Sequence, residues 1–460
     1  MVAHKSGLPD FCNWRLRSSF FPLAQSELHW SAGMHRVVVD EPYRFVPPYR
    51  KRWFSWLFRI WLRPFLRRRY GLVQFHYHGL EHVRSSLASG HGILLCPNHS
   101  RDADPMLIGM LCRKVPCHVF SLASWHLFRQ SRLEAIVIRL LGGFSIFREG
   151  LDREALNAAV EIVATAERPL VIFPEGVISR SNDRLLGLMD GVSFIARTAA
   201  RRRAALDPAG QVVIHPVAIR YTLTGDIQQS VGPVLSRLEQ RTFWKTNEHL
   251  PVLQRIRLLA RALLASREVE VLGDSQSGPL RPRIQRLMDA VLHPCEVRWL
   301  GGPKQGDPVG RVKDLRTTIL AELLQKKLSS AEVAERWRAL TDCYYVQTLS
   351  LYPEHYLDDD QAHGKVTPER LAETVHRLEE DLTDRITLRP EWKVEFRIGP
   401  AIPVDVSRRS RGTDPLMQQL RTDMLQLLGV EDWWPPEPQS AAPQCMETHT
   451  GITPQSNPPE

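Results

Sequence analysis

Residues 92–105, GILLCPNHSRDADP, contain the signals from which the fold can be predicted. The first five residues are an apolar run of strand length, and a polar turn separates them from Pro105. Proline favours the first position of a helix, and aspartate, here Asp104, favours the cap position before it. The stretch therefore predicts a strand, a turn and a helix in direct succession, with a histidine and two aspartates near the turn.

The same succession repeats along residues 75–235. The apolar runs are rich in valine and isoleucine, and stretches with helical periodicity separate them. The runs are GILLC (92–96), CHVFSL (117–122), PLVIF (169–173) and VVIHPVAIRY (212–221), and the helical stretches cover about 105–113, 126–141, 152–166 and 186–203. This alternation predicts an α/β fold with a mostly parallel central sheet flanked by helices. The polar clusters follow the strands, at the edge where such sheets bind ligands.

Helical periodicity dominates the sequence after about residue 237, and no strong internal repeat is visible. Helical patterns cover 250–268, 281–293, 311–340 and 367–385, before a strand pattern at 392–399 and a helix over 412–429. The last 30 residues contain seven prolines, which is typical of a disordered tail. The predicted organisation is an irregular N-terminal region (1–49), a basic amphipathic segment (50–70), the α/β domain (75–235), a helix-rich C-terminal region (237–430) completed by a strand and a helix near 392–429, and a disordered tail (431–460).

Composition and cysteine usage narrow the class of protein. With 43% hydrophobic and 24% charged residues, the 460-residue chain is typical of a globular protein. Its seven cysteines are scattered and form no CxxC pair, which argues against a disulfide framework and a structural zinc site. Residues 1–34 also show no charged-then-apolar leader, so we expect a reducing, cytoplasmic location.

The net charge of +9 is concentrated in residues 50–69, RKRWFSWLFRIWLRPFLRRR, which contain eight basic residues and no acid. On a helical wheel, four arginines form one stripe and aromatic residues cluster roughly opposite; we expect Pro64 to kink or end the helix. The uncharged runs are far shorter than the roughly 20 residues needed to span a bilayer. The pattern favours a helix at the inner face of a membrane, on anionic lipid. The alternatives are a helix docked on the protein's own core and nucleic-acid binding, which nothing downstream supports.

His99 and Asp104 are candidates for a catalytic pair. Five residues apart, they would not share a helix face, so they can meet only if His99 lies in the turn and Asp104 starts the next helix. A carboxylate on the imidazole would fix its tautomer and make it a general base. Two alternatives remain: Asp104 only caps the helix, or both bind a metal together with Asp102. No further His or Cys has metal-ligand spacing, so we expect no metal.

Three further motifs follow in order: GGFSIFR, ending at Arg148; FPEG, with Glu175 and Gly176; and an apolar strand carrying Pro216. Together with NHSRDAD at 98–104, they resemble the four conserved blocks of the glycerolipid acyltransferase superfamily, which includes the lysophosphatidate and glycerol-3-phosphate acyltransferases. The resemblance covers about residues 75–235. Four blocks in order are a specific signal, whereas HxxxxD alone is a weak one.

The resemblance implies a fold and a chemistry. His99 would accept the proton of an acceptor hydroxyl as it attacks a thioester, with Asp104 orienting the ring. Arg148 would bind a phosphate or carboxylate, and Glu175 and Gly176 would shape the acceptor site. From the residues alone, Arg148 can also be a surface arginine, and Glu175 can pair with an arginine or cap a turn.

After FPEG the sequence departs from the family pattern. Val177, Ile178 and Ser179 replace Thr-Arg-Ser, and Arg180 comes next, so Ser179 and Arg180 become candidate substrate-binding residues. We expect a membrane-associated acyltransferase that uses acyl-CoA or acyl carrier protein, needs no cofactor and acylates a lysophospholipid in preference to glycerol 3-phosphate. The alternatives are a catalytically silent lipid-binding module and a thioester or phosphate hydrolase. The sequence contains no GxSxG motif that would favour the hydrolase.

Overall fold

The computed structural model describes residues 42–150, 152–325, 327–352, 366–383, 386–406 and 414–430. The predicted tail (431–460) and most of the predicted irregular region (residues 1–41) lie outside these ranges, and residues 42–52 contain no helix or strand. The described strands are β1 (Leu72–His78), β2 (Gly92–Pro97), β3 (Phe120–Ser124), β4 (Gly143–Ile146), β5 (Leu170–Val171), β6 (Val212–Thr224), β7 (Glu391–Ile398) and β8 (Ile402–Pro403).

These strands form one sheet in the order β1-β7-β6-β2-β5-β3-β4, with β8 paired to β6. Neighbouring strands are parallel except that β7 and β8 run antiparallel to β6. The predicted mostly parallel sheet is therefore confirmed. The apolar runs become β2, β3, β5 and β6, whereas β1 and β4 are strands that the sequence patterns did not predict.

The described helices flank the sheet or pack beyond it. They are α1 (Trp53–Tyr70), α2 (Leu80–Ala88), α3 (Asp104–Lys114), α4 (Leu127–Gln130), α5 (Arg132–Leu140), α6 (Arg153–Ala164), α7 (Gly191–Leu206), α8 (Ile227–Phe243), α9 (Val252–Leu272), α10 (Leu280–Leu300), α11 (Pro308–Gln325), α12 (Ser330–Ser350), α13 (Pro368–Thr383) and α14 (Pro415–Leu428). The single helix expected over 311–340 is two helices, because Ser329 and Glu332 form a capping box that starts α12.

Strand β2 contributes side chains to two hydrophobic cores, one on each face of the sheet. All of its residues are buried, as expected for a central strand covered on both faces. Because side chains alternate along a strand, Ile93 and Leu95 join the core that contains residues of α1 and α3, whereas Leu94 and Cys96 join the core that contains residues of α6 and α7.

Strand β7 and helix α14 follow the helical region in sequence but belong to the sheet layer. Strand β7 lies between β1 and β6, and α14 packs on β6. Helices α8 to α13 are thus inserted between two strands of one sheet, β6 and β7.

Buried ion pairs recur between successive helices of the inserted region. Arg255, Arg283 and Arg311 are 28 residues apart, and each pairs with a glutamate of the preceding helix. The glutamates, Glu239, Glu268 and Glu296, each also accept a backbone N–H from the intervening loop. The expectation of no strong internal repeat stays a prediction; these pairs show only that three arginines and their partner glutamates recur at similar spacing.

Helix α1 docks by a narrow row and leaves its aromatic side exposed. Leu62 and Leu66 are buried, and α1 packs on α3. The helix continues through Pro64 to Tyr70 instead of ending there, because the burial of these leucines offsets one missing backbone hydrogen bond. The exposed apolar residues on α1 are Trp53, Trp56, Leu57, Ile60, Trp61 and Phe65. No helix among the described residues has the length and apolar character to cross a bilayer.

Candidate active site

The turn after β2 is fixed to the neighbouring strand by Asn98. Its side-chain oxygen accepts the Ile219 N–H at 2.7 Å, and its amide nitrogen donates to the Ile219 carbonyl at 3.1 Å. Asn98 is buried, so these two bonds satisfy its amide. The turn that carries His99 therefore starts from a rigid position on β6.

His99 and Asp104 meet as predicted from their spacing. Asp104 is the first residue of α3 and is fully buried, and its Oδ2 lies 3.0 Å from Nδ1 of His99. The same oxygen accepts the Arg101 N–H at 2.8 Å, and Oδ1 accepts the Tyr221 hydroxyl. The Asp104 side chain does not cap α3, so the alternative of a simple helix cap is not what the structure shows.

The imidazole of His99 lies in a partly enclosed position. Its side chain is 15% exposed, and its ring packs against Phe173 with centroids 4.2 Å apart. Because Asp104 engages Nδ1, the second ring nitrogen, Nε2, is left to exchange a proton with a substrate. The phenol of Tyr221 remains a donor to Asp104, because burial and the Asp104 charge raise its pKa well above the usual value.

The carboxylate of Glu175 binds the backbone of the turn that carries His99. Its Oε1 accepts the His99 N–H at 2.6 Å, and its Oε2 accepts the Leu186 N–H at 2.9 Å. The side chain is buried, and burial raises its pKa to about 7 although the two backbone N–H groups act in the opposite direction. Of the roles considered from the sequence, this geometry is the capping of a turn.

Arg148 and Gly176 are brought together by the loop after β5. An Nη of Arg148 donates to the carbonyl of Gly176. Gly176 has a φ of +69°, and a Cβ there would overlap the sulfur of Met189, so glycine is required. Burial, assisted by nearby Arg316, lowers the pKa of Arg148 to about 10, which keeps the guanidinium charged at neutral pH. Its Nε is buried without a hydrogen-bond partner among the described residues.

The other two predicted substrate-binding residues are engaged within the protein. Ser179 is buried; its N–H donates to the His99 carbonyl at 2.7 Å, and its hydroxyl donates to the Ser181 carbonyl at 3.0 Å. Arg180, with a φ of +57°, forms ion pairs with Asp102 at 3.3 Å and Glu380 at 3.0 Å. These contacts connect the loop after β5 to the catalytic turn and to α13.

Three further residues contact the site and were not predicted from the sequence. Tyr221 ends an apolar run and gave no sign of contact with Asp104, which lies 117 residues earlier. Arg101 lies inside the HxxxxD block, but at one of its unspecified positions. Glu373, which pairs with Arg101, belongs to α13 in the helical region. The described residues contain no cluster of His, Cys, Asp and Glu with the geometry of a metal site.

The site residues lie in a range that matches a known protein family. The family model described as Acyltransferase matches residues 74–220. The chain contains an acyltransferase-family domain. The matched range begins in β1, ends in β6 and includes His99, Asp104, Arg148 and Glu175. It supports acyltransferase activity in general, and the helical region and β7 lie outside it. A comparison with curated proteins found no match.

Proposed function

We propose that the protein is a peripheral membrane O-acyltransferase that transfers a fatty acyl group from a thioester donor, acyl-CoA or acyl carrier protein, to a hydroxyl of a lysophospholipid or a related glycerolipid. The observation that carries the proposal is the 3.0 Å contact between Nδ1 of His99 and the fully buried carboxylate of Asp104. This arrangement suits a general base.

In the proposed reaction, Nε2 of His99 accepts the proton of the acceptor hydroxyl as its oxygen attacks the thioester carbonyl carbon. The new C–O bond forms, the C–S bond breaks, and the proton passes from the imidazolium to the departing thiolate. Asp104 stabilises the imidazolium. The Tyr221 hydroxyl and the Arg101 N–H donate to the two carboxylate oxygens of Asp104 and hold them in place. A positioned general base of this kind typically contributes roughly 10²–10⁴ to the rate.

Arg148 is the residue that we propose binds an anionic group of the acceptor. Its guanidinium is charged, part-buried and joined to the Gly176 carbonyl through one Nη. The neighbouring Val177 and Ile178 are part-buried apolar residues. They disfavour a small, strongly hydrated acceptor such as glycerol 3-phosphate, because its polar groups would lose hydrogen bonds on burial. They tolerate a lysolipid, whose apolar part can contact both side chains.

Helix α1 is the proposed membrane contact, at the cytoplasmic face. Trp56 and Trp61 are 63% and 68% exposed, and basic residues lie around them. Exposed tryptophans and arginines on one helix suit the interface of an anionic bilayer. Of the predicted arginine stripe, Arg59 turns inward to donate to the Cys117 carbonyl, so the exposed Arg63 and Arg67 are the better lipid contacts.

The activity is tested with purified protein, labelled acyl-CoA or acyl carrier protein, and a panel of lysolipids and glycerol 3-phosphate, with products identified by mass. We expect acylated lysolipid, and we expect Arg148→Ala to raise the acceptor KM more than the donor KM. Free fatty acid as the sole product would identify a hydrolase, and no turnover with any acceptor would identify a silent lipid-binding module. Faster acylation of glycerol 3-phosphate than of every lysolipid would contradict the acceptor assignment.

Membrane attachment is tested by flotation with anionic vesicles. We expect the double variants Trp56→Ser/Trp61→Ser and Arg63→Glu/Arg67→Glu to lose binding, and added salt to weaken it. The control is Trp244→Ser, which removes a tryptophan that is 77% exposed but lies at the end of α8. If neither double variant nor added salt reduces flotation, α1 serves only to pack on the core.

A further inference from the structure

Arg101 lies between His99 and Asp104 in sequence and contacts the catalytic pair through its backbone. Its N–H donates to Oδ2 of Asp104 at 2.8 Å, and this is the oxygen that also contacts Nδ1 of His99. Any shift of residue 101 therefore moves a hydrogen bond on the carboxylate that orients the imidazole.

The side chain of Arg101 is held from three sides. Its guanidinium carbon lies 3.6 Å from the ring centroid of Trp392 and 4.4 Å from that of Tyr221. An Nη forms an ion pair with Glu373 at 2.9 Å. Tyr221 also donates to the second oxygen of Asp104, so the groups that hold Arg101 act on both oxygens of the catalytic carboxylate.

Glu373 closes a cycle of contacts around the site. Its second oxygen accepts the Asn182 N–H at 3.1 Å, and the Asn182 amide bonds both backbone groups of Tyr221, at 2.6 and 2.9 Å. The cycle runs from Glu373 through Arg101, Asp104, Tyr221 and Asn182 back to Glu373. It joins α13 of the helical region to the catalytic turn, the loop after β5 and strand β6.

We propose that Glu373 is a positioning residue: acting through Arg101 and Tyr221, it fixes the orientation of the His99–Asp104 pair. The inference rests on the proposed function, in which His99 is the base. Because Glu373 lies beyond residue 220, the catalytic geometry of the acyltransferase domain then depends on a helix outside the matched range. An arginine held by a buried carboxylate and two ring faces has few alternative conformations, and transfer reactions are sensitive to misplacement of the base by about 1 Å.

The test compares the kinetics of Glu373→Gln, Arg101→Met and Arg101→Lys. We expect Glu373→Gln and Arg101→Met to lower kcat by about 10- to 100-fold while the KM of donor and acceptor changes by less than about 2-fold, because misplacement of the base affects the reaction more than binding. Arg101→Lys, which keeps the charge but not the planar group, should recover part of the loss. Wild-type kcat in Glu373→Gln would by itself overturn the proposal.

A spectroscopic measurement separates positioning from a general loss of stability. In protein labelled with ¹⁵N-histidine, we expect a hydrogen-bonded Nδ1 proton resonance that is absent from His99→Ala and shifted in Glu373→Gln. The matched control is Glu296→Gln, which makes the same substitution in a buried glutamate–arginine pair between α10 and α11. It should leave both this resonance and kcat unchanged; an unshifted resonance in Glu373→Gln would overturn the proposal.

Two further variants keep the outcome decisive. If Glu373→Gln does not fold, Tyr221→Phe removes only the hydroxyl that donates to Asp104, and we expect it to shift the resonance and lower kcat about 10-fold. A wild-type spectrum and rate in Tyr221→Phe would overturn the proposal. Full activity in His99→Ala would contradict the proposed function itself. An inactive His99→Ala beside a fully active Glu373→Gln would contradict the positioning role alone.

Discussion

Two buried glutamates, Glu175 in the sheet layer and Glu268 in the repeated ion pairs of the helical region, are held in opposite ways. In the sheet layer, both oxygens of Glu175 accept backbone N–H groups, and burial raises its pKa to about 7. In the helical region, burial also acts to raise the pKa of Glu268, but hydrogen bonds from Arg283 and the Gln276 N–H outweigh it and hold the pKa below its usual range.

The difference lies in which groups bind the buried carboxylates. In the helical region, three arginine–glutamate pairs at regular spacing close successive helix connections, and each carboxylate is matched by its own cation. Near His99, the carboxylates of Asp104 and Glu175 are matched by N–H and O–H donors of the turn and the sheet. The first arrangement joins helices; the second places two carboxylates next to His99, the proposed general base.

The largest expected effect separates the two regions by activity. His99→Ala should lower kcat by roughly 10²–10⁴, with a smaller but still severe loss in Asp104→Asn. The fold should persist, because His99 lies in a turn and contributes little to the core. Initial rates of acyl transfer, with circular dichroism as the control for folding, test this. Near-normal turnover by the His99 variant would remove the distinction between the regions.

Removal of one arginine of a pair should affect stability instead. Arg283→Met leaves the buried Glu268 without its cation and should destabilise the protein by about 3–5 kcal/mol, while kcat per folded molecule is unchanged. Urea unfolding measures the loss. Arg281→Met, at an exposed position two residues earlier on α10, is the control and should change stability by less than about 0.5 kcal/mol. Equal losses in the two variants would show that the buried pair has no special role.

Glu175 and Glu268 should contribute to the pH dependence of stability with opposite signs. Because the folded-state pKa of Glu175 is about 7 against an ordinary 4.5, its contribution makes the protein less stable as the pH rises from about 4.5 to 7. The slope is at most about 1.4 kcal/mol per pH unit. The pKa of Glu268 is lowered, so its contribution is present above about 4.5 and is lost as the pH falls through the folded-state value.

Unfolding free energies measured from pH 2.5 to 8 test these signs. Glu175→Gln should reduce the decline between about pH 4.5 and 7, and part of it should remain because burial also raises the pKa of Glu373 to about 7. Glu268→Gln should flatten the rise at lower pH. The glutamine variants also lose hydrogen bonds at every pH, so the difference in slope, and not the offset, is diagnostic. Parallel curves for wild type and Glu175→Gln would contradict the raised pKa.

The smallest expected effect concerns a helix start in the helical region. Ser329→Ala removes the capping box of α12 and should lower the unfolding free energy by about 1 kcal/mol, with no change in kcat. Thermal unfolding measures the shift, and Ser329→Thr, which keeps a hydroxyl cap, should recover most of it. A change in kcat here would mean that the helical region transmits local disturbances to the site.

The residues from 92 to 105 were sufficient to predict β2, its turn and the start of α3, and with them the contact between His99 and Asp104. The resemblance supplied Arg148 and Glu175 as site residues, but it could not show which atoms Glu175 contacts. That contact depends on the backbone of His99, 76 residues earlier. Glu373 lies 272 residues after its partner Arg101, so no local pattern could connect them. Strand β4 has only four residues, and β1 at the sheet edge alternates apolar with polar residues, so neither contains a continuous apolar run.

The position of β7 between β1 and β6 also constrains synthesis of the protein. As the chain leaves the ribosome, residues through β6 emerge well before residues 391–398, so β6 waits for its neighbour while the whole helical insertion is translated. An uncovered strand edge invites pairing with other chains, which makes this interval the period of greatest risk for aggregation. Expression of residues 74–220 alone would make that interval permanent.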